Sequence, residues 1–333
     1  MKKTLKDIAK LAGVSIATVS MVVNNKDDRI SAATRARVLE IIKTSDYVPN
    51  RVASSMVTKK TKTIGLIIPD IANPFFPEIA RGVEDKANAE GYTVILCNSD
   101  NKLSKEDAYI EMLQEKMVEG IIFTASSRRT TVSQALLKVR VPVITVDRDI
   151  PDLKQQGKIT VDNEHGAYEA VTHMLDSGYR QIYHLSGPLT SRTAQERYNG
   201  YKRALVSKGI TPSSDYMIEG LFTSDWGHET INGIIKSKKP FDGVFCGNDM
   251  IALGVLKGLQ ENNVSVPMDI GIVGFDDIEM AKMVTPELTT VRQPKYEMGY
   301  RAAELLLKMI QGEHTDQNEY ILKTEFIQRS STK

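Results

Sequence analysis

The stretch VPVITVDRDIP, residues 141–151, is an apolar run that ends abruptly in charged residues. Its valines and isoleucine are typical of a buried β-strand, and Asp147, Arg148 and Asp149 follow them at once. Two carboxylates around a guanidinium are compatible with acid/base chemistry, with a solvated turn, or with a site for a molecule rich in hydroxyl groups. The stretch alone leaves these three interpretations open, and the rest of the chain has to decide between them.

Strands of this kind recur from Lys62 onward and alternate with helical segments. Such alternation predicts parallel sheets connected by right-handed crossovers. One sheet cannot hold so many strands, so we expect an α/β body of two doubly wound lobes. The predicted strands are TIGLIIPD (63–70), YTVILCNSD (92–100), GIIFTAS (120–126), VPVITVDRD (141–149), ITVDN (159–163), QIYHLSG (181–187), GVFCGND (243–249), GIVGFDD (271–277) and LTTVRQP (288–294).

Distinctive polar residues follow several of these strands, at the edge where open parallel sheets bind their ligands. Carboxylates, amides and forked guanidinium donors suit vicinal hydroxyl groups. Phe75, Phe76 and Phe222 offer flat faces for a sugar ring, although each would be equally ordinary in a core. The residues at the strand ends are Asn73, Asp147, Asn248, Asp276 and Gln293, with Arg148 next to Asp147 and Arg197 from QERYNGY as the forked donors. Two aspartates balance two arginines in this set, which favours a neutral ligand over a phosphosugar.

The composition is that of a globular protein with two or three domains, since the chain has 333 residues, 41% hydrophobic and 26% charged. Cys97 and Cys246 match no metal or redox spacing, which favours a reducing compartment. The N-terminus has no apolar segment of a signal peptide, and no run is long enough to span a membrane. We therefore expect a cytoplasmic protein.

The small net charge of +1 conceals an asymmetry along the chain. Residues 1–60 carry a net charge of +7, so residues 61–333 carry −6. A basic head on an acidic body indicates a polyanion as the partner of the head, with a merely solvated basic face as the alternative.

The basic head reads as short helices joined by a tight turn in TLKDIAKLAGVSIATVSMVVNN, residues 4–25. Thr4 and Asp7 form a capping-box pattern, Gly13 supplies the turn, and Ser15 can cap the second helix. A third helix begins after Ser31. The pattern predicts a helix-turn-helix whose second helix enters the major groove of DNA. The candidate DNA contacts are Thr4, Ser15, Ile16, Ala17, Thr18, Ser20, Met21 and Asn24.

YVPNRVASSM, residues 47–56, reads by itself as a linker with a weak helix. Asn50 is a candidate phosphate contact, and Ala53 is small enough to let two such helices pack closely. Met56 is a candidate apolar wedge of the kind that enters a minor groove and kinks DNA.

Five stretches together resemble the lactose/galactose-repressor family from end to end: LKDIAKLAGVSIATVSMVVNN, YVPNRVASSM, IGLIIPDIANPFFPEIARGVED, GNDMIALG and VPMDIGIVGFDDIEMAKMVTPELTTVRQP. The resemblance implies a regulator with a helix-turn-helix head, a hinge helix, and a body of the periplasmic-binding-protein type I. The domains it implies are a head at 1–48, a hinge at 49–61, an N-terminal lobe at 62–161 plus 292–322, and a C-terminal lobe at 162–291 plus 323–333. Many members carry Arg where this chain has Met21, so the usual operator half-site is not carried over.

Within that family the stretches VDRD and TAQERYNGY most resemble ribose repressors, and the polar and aromatic set named above is similar to the ribose-contacting set of the periplasmic ribose receptor. The resemblance implies D-ribose as effector and pseudo-palindromic operator DNA as partner. The chain lacks the leucine-heptad tail used for tetramers in the lactose repressor, so we expect a homodimer. The implied effector-binding residues are Asn73, Phe75, Phe76, Asp147, Arg148, Arg197, Phe222, Asn248, Asp276 and Gln293.

Three other functions compete with this hypothesis: an enzyme, a transport receptor and a catabolite-control regulator. A cytosolic enzyme acting on sugars or nucleosides would use paired carboxylates, but no nucleophile, Walker or dinucleotide motif is present. No cofactor or metal is expected, because the histidines are dispersed without ligand spacing. A transport receptor would need a signal peptide.

Within the family the rival is a catabolite-control regulator that binds a phosphorylated carrier protein. The helix with which such a regulator binds its partner usually carries a basic residue where this chain has Glu304.

Overall fold

The chain divides into two units at the position where its charge changes sign, Met1–Thr61 and Lys62–Lys333. The computed structural model describes residues 3–23, 27, 29–45, 47, 60–150, 153, 157–313 and 317–333. Most of the predicted hinge lies outside the described residues, including the candidate contacts Asn50, Ala53 and Met56; Asn24 also lies outside them.

The first unit has the predicted helices, α1 (Leu5–Ala12), α2 (Ile16–Val23) and α3 (Ala32–Thr44). The predicted capping box is present, because the Thr4 side chain accepts from the Asp7 backbone and the Asp7 carboxylate accepts from the Thr4 backbone. Gly13 adopts a left-handed conformation with φ of 64°, which ends α1 and leads directly into α2. Apolar residues from all three helices form the core of this unit: Ile8, Ala9, Ala12, Val19, Val22 and Val38.

In its described residues, the second unit contains all nine predicted strands and three further ones. The strands are β1 (Thr63–Ile68), β2 (Thr93–Asn98), β3 (Ile121–Phe123), β4 (Val143–Val146), β5 (Gly157–Val161), β6 (Ile182–Ser186), β7 (Met217–Glu219), β8 (Gly243–Cys246), β9 (Gly271–Val273), β10 (Thr290–Arg292), β11 (Glu319–Leu322) and β12 (Glu325–Ile327). Sequence reasoning missed β7, β11 and β12, which are short and only partly buried.

Helices connect these strands and cover both faces of the sheets. They are α4 (Phe75–Ala89), α5 (Leu103–Glu115), α6 (Gln134–Leu137), α7 (Asn163–Asp176), α8 (Arg192–Ser207), α9 (Ser224–Ser237), α10 (Asp249–Glu261) and α11 (Lys295–Gln311), with 3₁₀ turns at Ser214–Tyr216 and Glu279–Lys282. In the part of the chain that the structure describes, no helix is both long and apolar enough to cross a membrane.

Two parallel sheets make two lobes, as predicted. The N-terminal lobe has strand order β11-β5-β4-β3-β1-β2, and the C-terminal lobe has β7-β6-β8-β9. Strands β10 and β12 form a separate antiparallel pair. The registers align the carboxyl ends of neighbouring strands, for example Ile67 with Phe123 and Phe123 with Thr145. Each sheet therefore presents one edge from which several loops leave together.

Two helices of the N-terminal lobe pack closely against each other beside this edge. Helices α4 and α11 approach each other at two glycines, Gly82 and Gly299. A Cβ atom on Gly299 would lie 2.0 Å from the backbone oxygen of Ile79, and one on Gly82 would lie 2.1 Å from that of Tyr296. A side chain at either position would therefore push apart the two helices that begin next to the sheet edge.

Candidate functional site

A cavity lies between the two lobes, at the carboxyl edges of their sheets. The lining contains all ten residues predicted for effector binding and one that was not predicted, Thr193. The full set is Asn73, Phe75, Phe76, Asp147, Arg148, Thr193, Arg197, Phe222, Asn248, Asp276 and Gln293.

The charged end of the opening stretch forms part of the N-terminal wall. Asp147 follows β4 directly and has a φ of 63°, which turns the chain sharply out of the sheet. The Arg148 Nε atom lies 3.5 Å from Asp147 Oδ2. The Arg148 guanidinium also lies over two aromatic rings, 5.2 Å from the centre of Phe222 and 5.7 Å from that of Phe76. The aromatic faces expected to receive a sugar ring therefore also hold this arginine.

The first turn of α4 completes that wall. Asn73 Oδ1 accepts a hydrogen bond of 3.1 Å from the backbone N–H of Phe75, so its amide group remains to donate. Phe75 and Phe76 are both buried and meet edge to face, with ring centres 5.1 Å apart. This turn of the Asx type thus places one amide and one aromatic pair at the start of α4.

On the C-terminal wall, Arg197 of α8 is buried and fixed by several contacts. Its Nε donates to Asn163 Oδ1 at 2.9 Å, and its Nη1 donates to the Gly247 carbonyl at 2.6 Å. The guanidinium stacks 3.8 Å from the centre of the Phe275 ring. These contacts set the guanidinium plane without help from a ligand.

Asp276 and two amides lie beside Arg197. The Asp276 Oδ1 atom is 3.9 Å from Arg197 Nη1 and accepts a 2.7 Å hydrogen bond from Gln293 Nε2. Asp276 has a φ of 124°, which L-residues rarely adopt. Asn248 Oδ1 accepts from the Ile251 backbone and so caps α10, which leaves its amide group to donate. The two asparagines of the cavity are therefore held in the same manner, one on each wall.

Burial shapes the electrostatics of the cavity. It raises the pKa of Asp147 and raises that of Asp276 to about 7, while the nearby arginines oppose both changes. Burial also lowers the pKa of Arg197, against the attraction of Asp276 and Asp147. The four charged groups pair across short distances, as the charge count predicted. A neutral ligand that can both donate and accept hydrogen bonds fits this arrangement, because it leaves the charge balance intact.

Two polar atoms of the lining are buried without a hydrogen-bond partner among the described residues, Arg148 Nε and Gln293 Oε1. Buried polar atoms are nearly always paired in native proteins. One is a donor and the other is an acceptor, which is the combination that a hydroxyl group satisfies.

Direct contacts outside the cavity also join the two lobes. Thr190 Oγ1 donates to the Ser127 carbonyl at 2.8 Å, and Arg192 Nη1 lies 3.0 Å from Asp149 Oδ2. Asp149 also accepts from Lys158 of β5. The third charged residue of the opening stretch therefore ties the lobes together outside the cavity.

Thr193 is the lining residue that sequence reasoning missed. It lies four residues before Arg197 on α8, so both side chains point to the same face of the helix. The four-residue spacing of Thr193 and Arg197 in TAQER was visible in the sequence. A lone threonine has many ordinary structural roles, however, so the spacing alone does not indicate a binding residue.

The candidate DNA contacts are distributed over the surface of the head. Ile16 and Met21 of α2 are 48% and 39% exposed, which is compatible with a contact surface. Ser15 caps α2 through a 3.1 Å hydrogen bond from the Thr18 backbone, and Thr4 belongs to the capping box of α1. Ala17 is exposed, whereas Thr18 and Ser20 are half-buried.

Within the described ranges, no group of three or more His, Cys, Asp or Glu side chains is arranged to hold a metal ion. Cys97 and Cys246 are buried and unbonded.

Two family descriptions match the chain. Residues 4–50 match bacterial regulatory proteins of the lacI family, and residues 171–332 match the periplasmic binding protein-like domain.

Three relatives match it along essentially the whole length. The HTH-type transcriptional regulator RegA of Clostridium acetobutylicum is 41% identical over 338 residues, with both chains covered completely. Catabolite control protein A of Priestia megaterium is 39% identical over 334 residues, also with both chains covered completely. The ribose operon repressor of Halalkalibacterium halodurans is 36% identical over 334 residues, covering 99% of this chain and 97% of the relative.

Solved structures extend the comparison to the fold and to bound molecules. The lac repressor dimer bound to operator and the anti-inducer ONPF has a TM-score of 0.87 at 27% identity, covering 100% of this chain and 99% of that one. A LacI family transcriptional regulator from Enterococcus faecium with bound ribose has a TM-score of 0.71 at 32% identity, covering 81% of this chain and 98% of that one.

Proposed function

The chain belongs to the lacI family of bacterial regulatory proteins, and from this premise we propose that it represses transcription and releases its operator when D-ribose binds between the two lobes. Its relatives are named as transcriptional regulators, which agrees with the expectation that it is not an enzyme. The operator would belong to genes for ribose uptake or catabolism.

The observation that carries the proposal is the lining of the cavity. It combines two balanced Asp–Arg pairs, amides on both walls, aromatic rings and two unpartnered polar atoms of opposite type. Each hydroxyl of a pentose can accept from an arginine or an amide and donate to a carboxylate. A phosphosugar would bring a dianion into a cavity whose positive charges are already paired, which would be costly.

The relatives agree with a small sugar without fixing its identity. One relative is named a ribose operon repressor, and one solved regulator has ribose bound. Another solved regulator is complexed with D-xylulofuranose, and several relatives are named PurR. The ten effector-binding residues and the choice of ribose are therefore proposals that a binding experiment has to test.

DNA binding would be the task of the head. The second helix, α2, presents Ile16, Ala17 and Met21 on its exposed face, where apolar side chains can contact thymine methyl groups. Two heads are needed for a specific site, so we propose a homodimer on a pseudo-palindromic operator. Such a protein would act in the cytoplasm, where the chromosome lies.

Ligand response would arise from closure of the lobes. A sugar that contacts both walls binds the closed body more tightly than the open one. It shifts the equilibrium, and with it the operator affinity, by the ratio of those two affinities. In this structure the contacts Thr190–Ser127 and Arg192–Asp149 already join the two lobes.

A second candidate is a catabolite-control regulator that acts with a phosphocarrier protein. The observation that favours it is the 39% identity with catabolite control protein A, which is as high as that with several other relatives. Against it, the position on α11 where such regulators usually carry a basic residue holds Glu304, which pairs with Arg301 and Lys308 on the same helix.

The proposed function is tested by a gel-shift experiment with the full-length protein and operator fragments chosen from its own genome by selection. Addition of D-ribose should release the DNA, whereas D-ribose 5-phosphate and purines should not. If ribose tightens the complex, the sugar assignment stands and the sign of the response is wrong. If only a phosphocarrier protein changes the shift, the second candidate replaces the first.

The same selection tests the head. Met21→Arg should change the preferred half-site more than the overall affinity, because a guanidinium favours guanine. An unchanged preference would remove Met21 from the recognition surface.

A further inference from the structure

A lysine at the start of α11, Lys295, is only 4% exposed and is not part of the cavity lining. Its Nζ donates to the backbone carbonyls of Asp276 and Asp277 at 2.8 and 2.6 Å, and lies 3.5 Å from Glu78 Oε1. An ammonium group has three N–H donors, and a buried charge must be paired. These three acceptors satisfy both needs.

The two carbonyls belong to a backbone turn in an unusual conformation. Asp276 and Asp277 have φ angles of 124° and 52°, although neither is a glycine. Such conformations persist only where the surroundings hold them, and they concentrate at functional sites. Lys295 holds the carbonyl of Asp276, whose carboxylate lines the cavity.

The rest of the turn has its own support. The Asp277 carboxylate accepts from Arg292 Nε at 2.7 Å and from Arg329 Nη2 at 2.6 Å. These ion pairs would remain if Lys295 were replaced. The contribution of Lys295 is therefore to the direction of Asp276 and not to the existence of the turn.

Lys295 also connects the two walls of the cavity. Glu78 lies on α4, whose first turn carries Phe75 and Phe76, and α11 packs against α4 through Gly299. One ammonium group thus contacts both the helix that carries the aromatic pair and the turn that carries the Asp276 carboxylate.

We propose that Lys295 is a positioning residue for effector binding, which aims the Asp276 carboxylate into the cavity without touching the ligand. This inference rests on the proposed function, in which the cavity binds a sugar.

The test uses Lys295→Met in the full-length protein, with Lys308→Met as the matched control. Lys308 lies on the same helix and pairs only with Glu304 among the described residues. Calorimetric titration with D-ribose should show an affinity loss of about tenfold for Lys295→Met and less than about twofold for Lys308→Met. Lys295→Gln, which can still donate to one carbonyl, should recover part of the loss and serves as a second variant if Lys295→Met folds poorly.

A double-mutant cycle separates positioning from a general structural effect. If Lys295 acts through Asp276, then Lys295→Met should cost little further affinity in an Asp276→Ala background. The same change should keep its full effect in an Asp147→Ala background, because Asp147 lies on the opposite wall. Equal effects in both backgrounds would overturn the inference.

Failure of the inference and failure of the proposed function give different results. If the wild type binds ribose and Lys295→Met binds it equally well, only the inference fails. If the wild type binds no ribose, the proposed function fails, and a crystal structure of unliganded Lys295→Met decides the inference. The inference predicts that the Asp276 carboxylate moves by about 1 Å or more, and an unmoved carboxylate contradicts it.

Discussion

The two walls of the cavity contain similar residues, yet the protein holds them in different ways. On the C-terminal wall, Arg197 donates to Asn163 and Gly247, and Asp276 accepts from Gln293. On the N-terminal wall, Arg148 Nε has no hydrogen-bond partner in the described part of the chain, and its Nη1 reaches Asn101 only at 3.5 Å. The C-terminal wall is largely paired before a ligand arrives, and Gln293 Oε1 is its unpartnered buried atom among the described residues, whereas on the N-terminal wall the arginine itself keeps an unpartnered donor.

This difference separates two contributions to ligand binding. A side chain that is already fixed loses little conformational freedom when the ligand binds, so it supplies geometry. A buried group without a partner gains a hydrogen bond that the free protein lacks. It therefore contributes favourable free energy to the ligand-bound form of the body. Changes to the C-terminal wall should therefore affect both stability and sugar binding, and changes to the N-terminal wall should affect mainly sugar binding.

The largest effect is expected for Arg197→Met. It removes a buried charge from Asp276 and two hydrogen bonds from the wall, and breaking a buried pair costs about 3–5 kcal/mol of unfolding free energy. Ribose binding should fall by more than about a hundredfold. Chemical denaturation and calorimetry measure the two losses. Arg203→Met, on the exposed side of the same helix, is the control and should change neither by much.

Asp147→Ala should weaken ribose binding about tenfold to a hundredfold, since a partner of a buried polar contact is lost. Its unfolding free energy should change far less than that of Arg197→Met. Because Asp147 has a positive φ, Asp147→Asn serves as a second variant that tolerates this backbone and removes only the charge. In gel shifts both variants should hold operator DNA and respond poorly to ribose. A normal response would remove Asp147 from the site.

The pH dependence of binding should report on Asp276 of the C-terminal wall. Its pKa of about 7 means that the carboxyl is mostly protonated below pH 7 and ionised above it. The groups that face it are Arg197, Asp249, Asp147 and Lys295. A sugar hydroxyl that donates to the ionised form binds that form better, so ribose affinity should fall about tenfold as pH falls from 8 to 6. Asp276→Asn should abolish this slope. A slope that survives in the variant would assign the titration to another group.

The smallest effect is expected outside the cavity, for Arg192→Met. It removes the ion pair with Asp149 that joins the lobes, but the Arg192 side chain is 59% exposed, and such pairs contribute about 0.2–1 kcal/mol. Ribose should dissociate about twofold to fivefold faster in stopped-flow measurements. Lys208→Met, which breaks a surface pair within one lobe, should leave the rate unchanged. Equal rates in all three proteins would show that the Arg192–Asp149 pair does not hold the lobes closed.

Much of the fold was predictable from sequence because its signals are local. Alternation of strands and helices predicted both parallel sheets, and the capping box at Thr4 and the left-handed Gly13 predicted the helix-turn-helix. Strands β7 and β11 escaped prediction because they are only three and four residues long and each contains a glutamate, Glu219 in β7 and Glu319 in β11.

The cavity was predictable for a different reason. Polar residues after buried strands collect at one sheet edge whatever the details of packing, so Asn73, Asp147, Asn248, Asp276 and Gln293 could be named from their positions. The other five predicted lining residues rested on side-chain chemistry and on the resemblance to the ribose receptor. What the sequence could not show is how each is held. The contact of Lys295 with Asp276 and the stacking of Arg148 on Phe222 join residues that are distant in the chain, and no local pattern encodes them.

The most direct test of the account is a calorimetric titration of the full-length protein with D-ribose and with D-ribose 5-phosphate at the same pH. The account predicts one ribose per chain and binding of the phosphorylated sugar that is at least about tenfold weaker, because the cavity has no unpaired positive charge. Tighter binding of ribose 5-phosphate, or binding of a purine in place of either sugar, would contradict it.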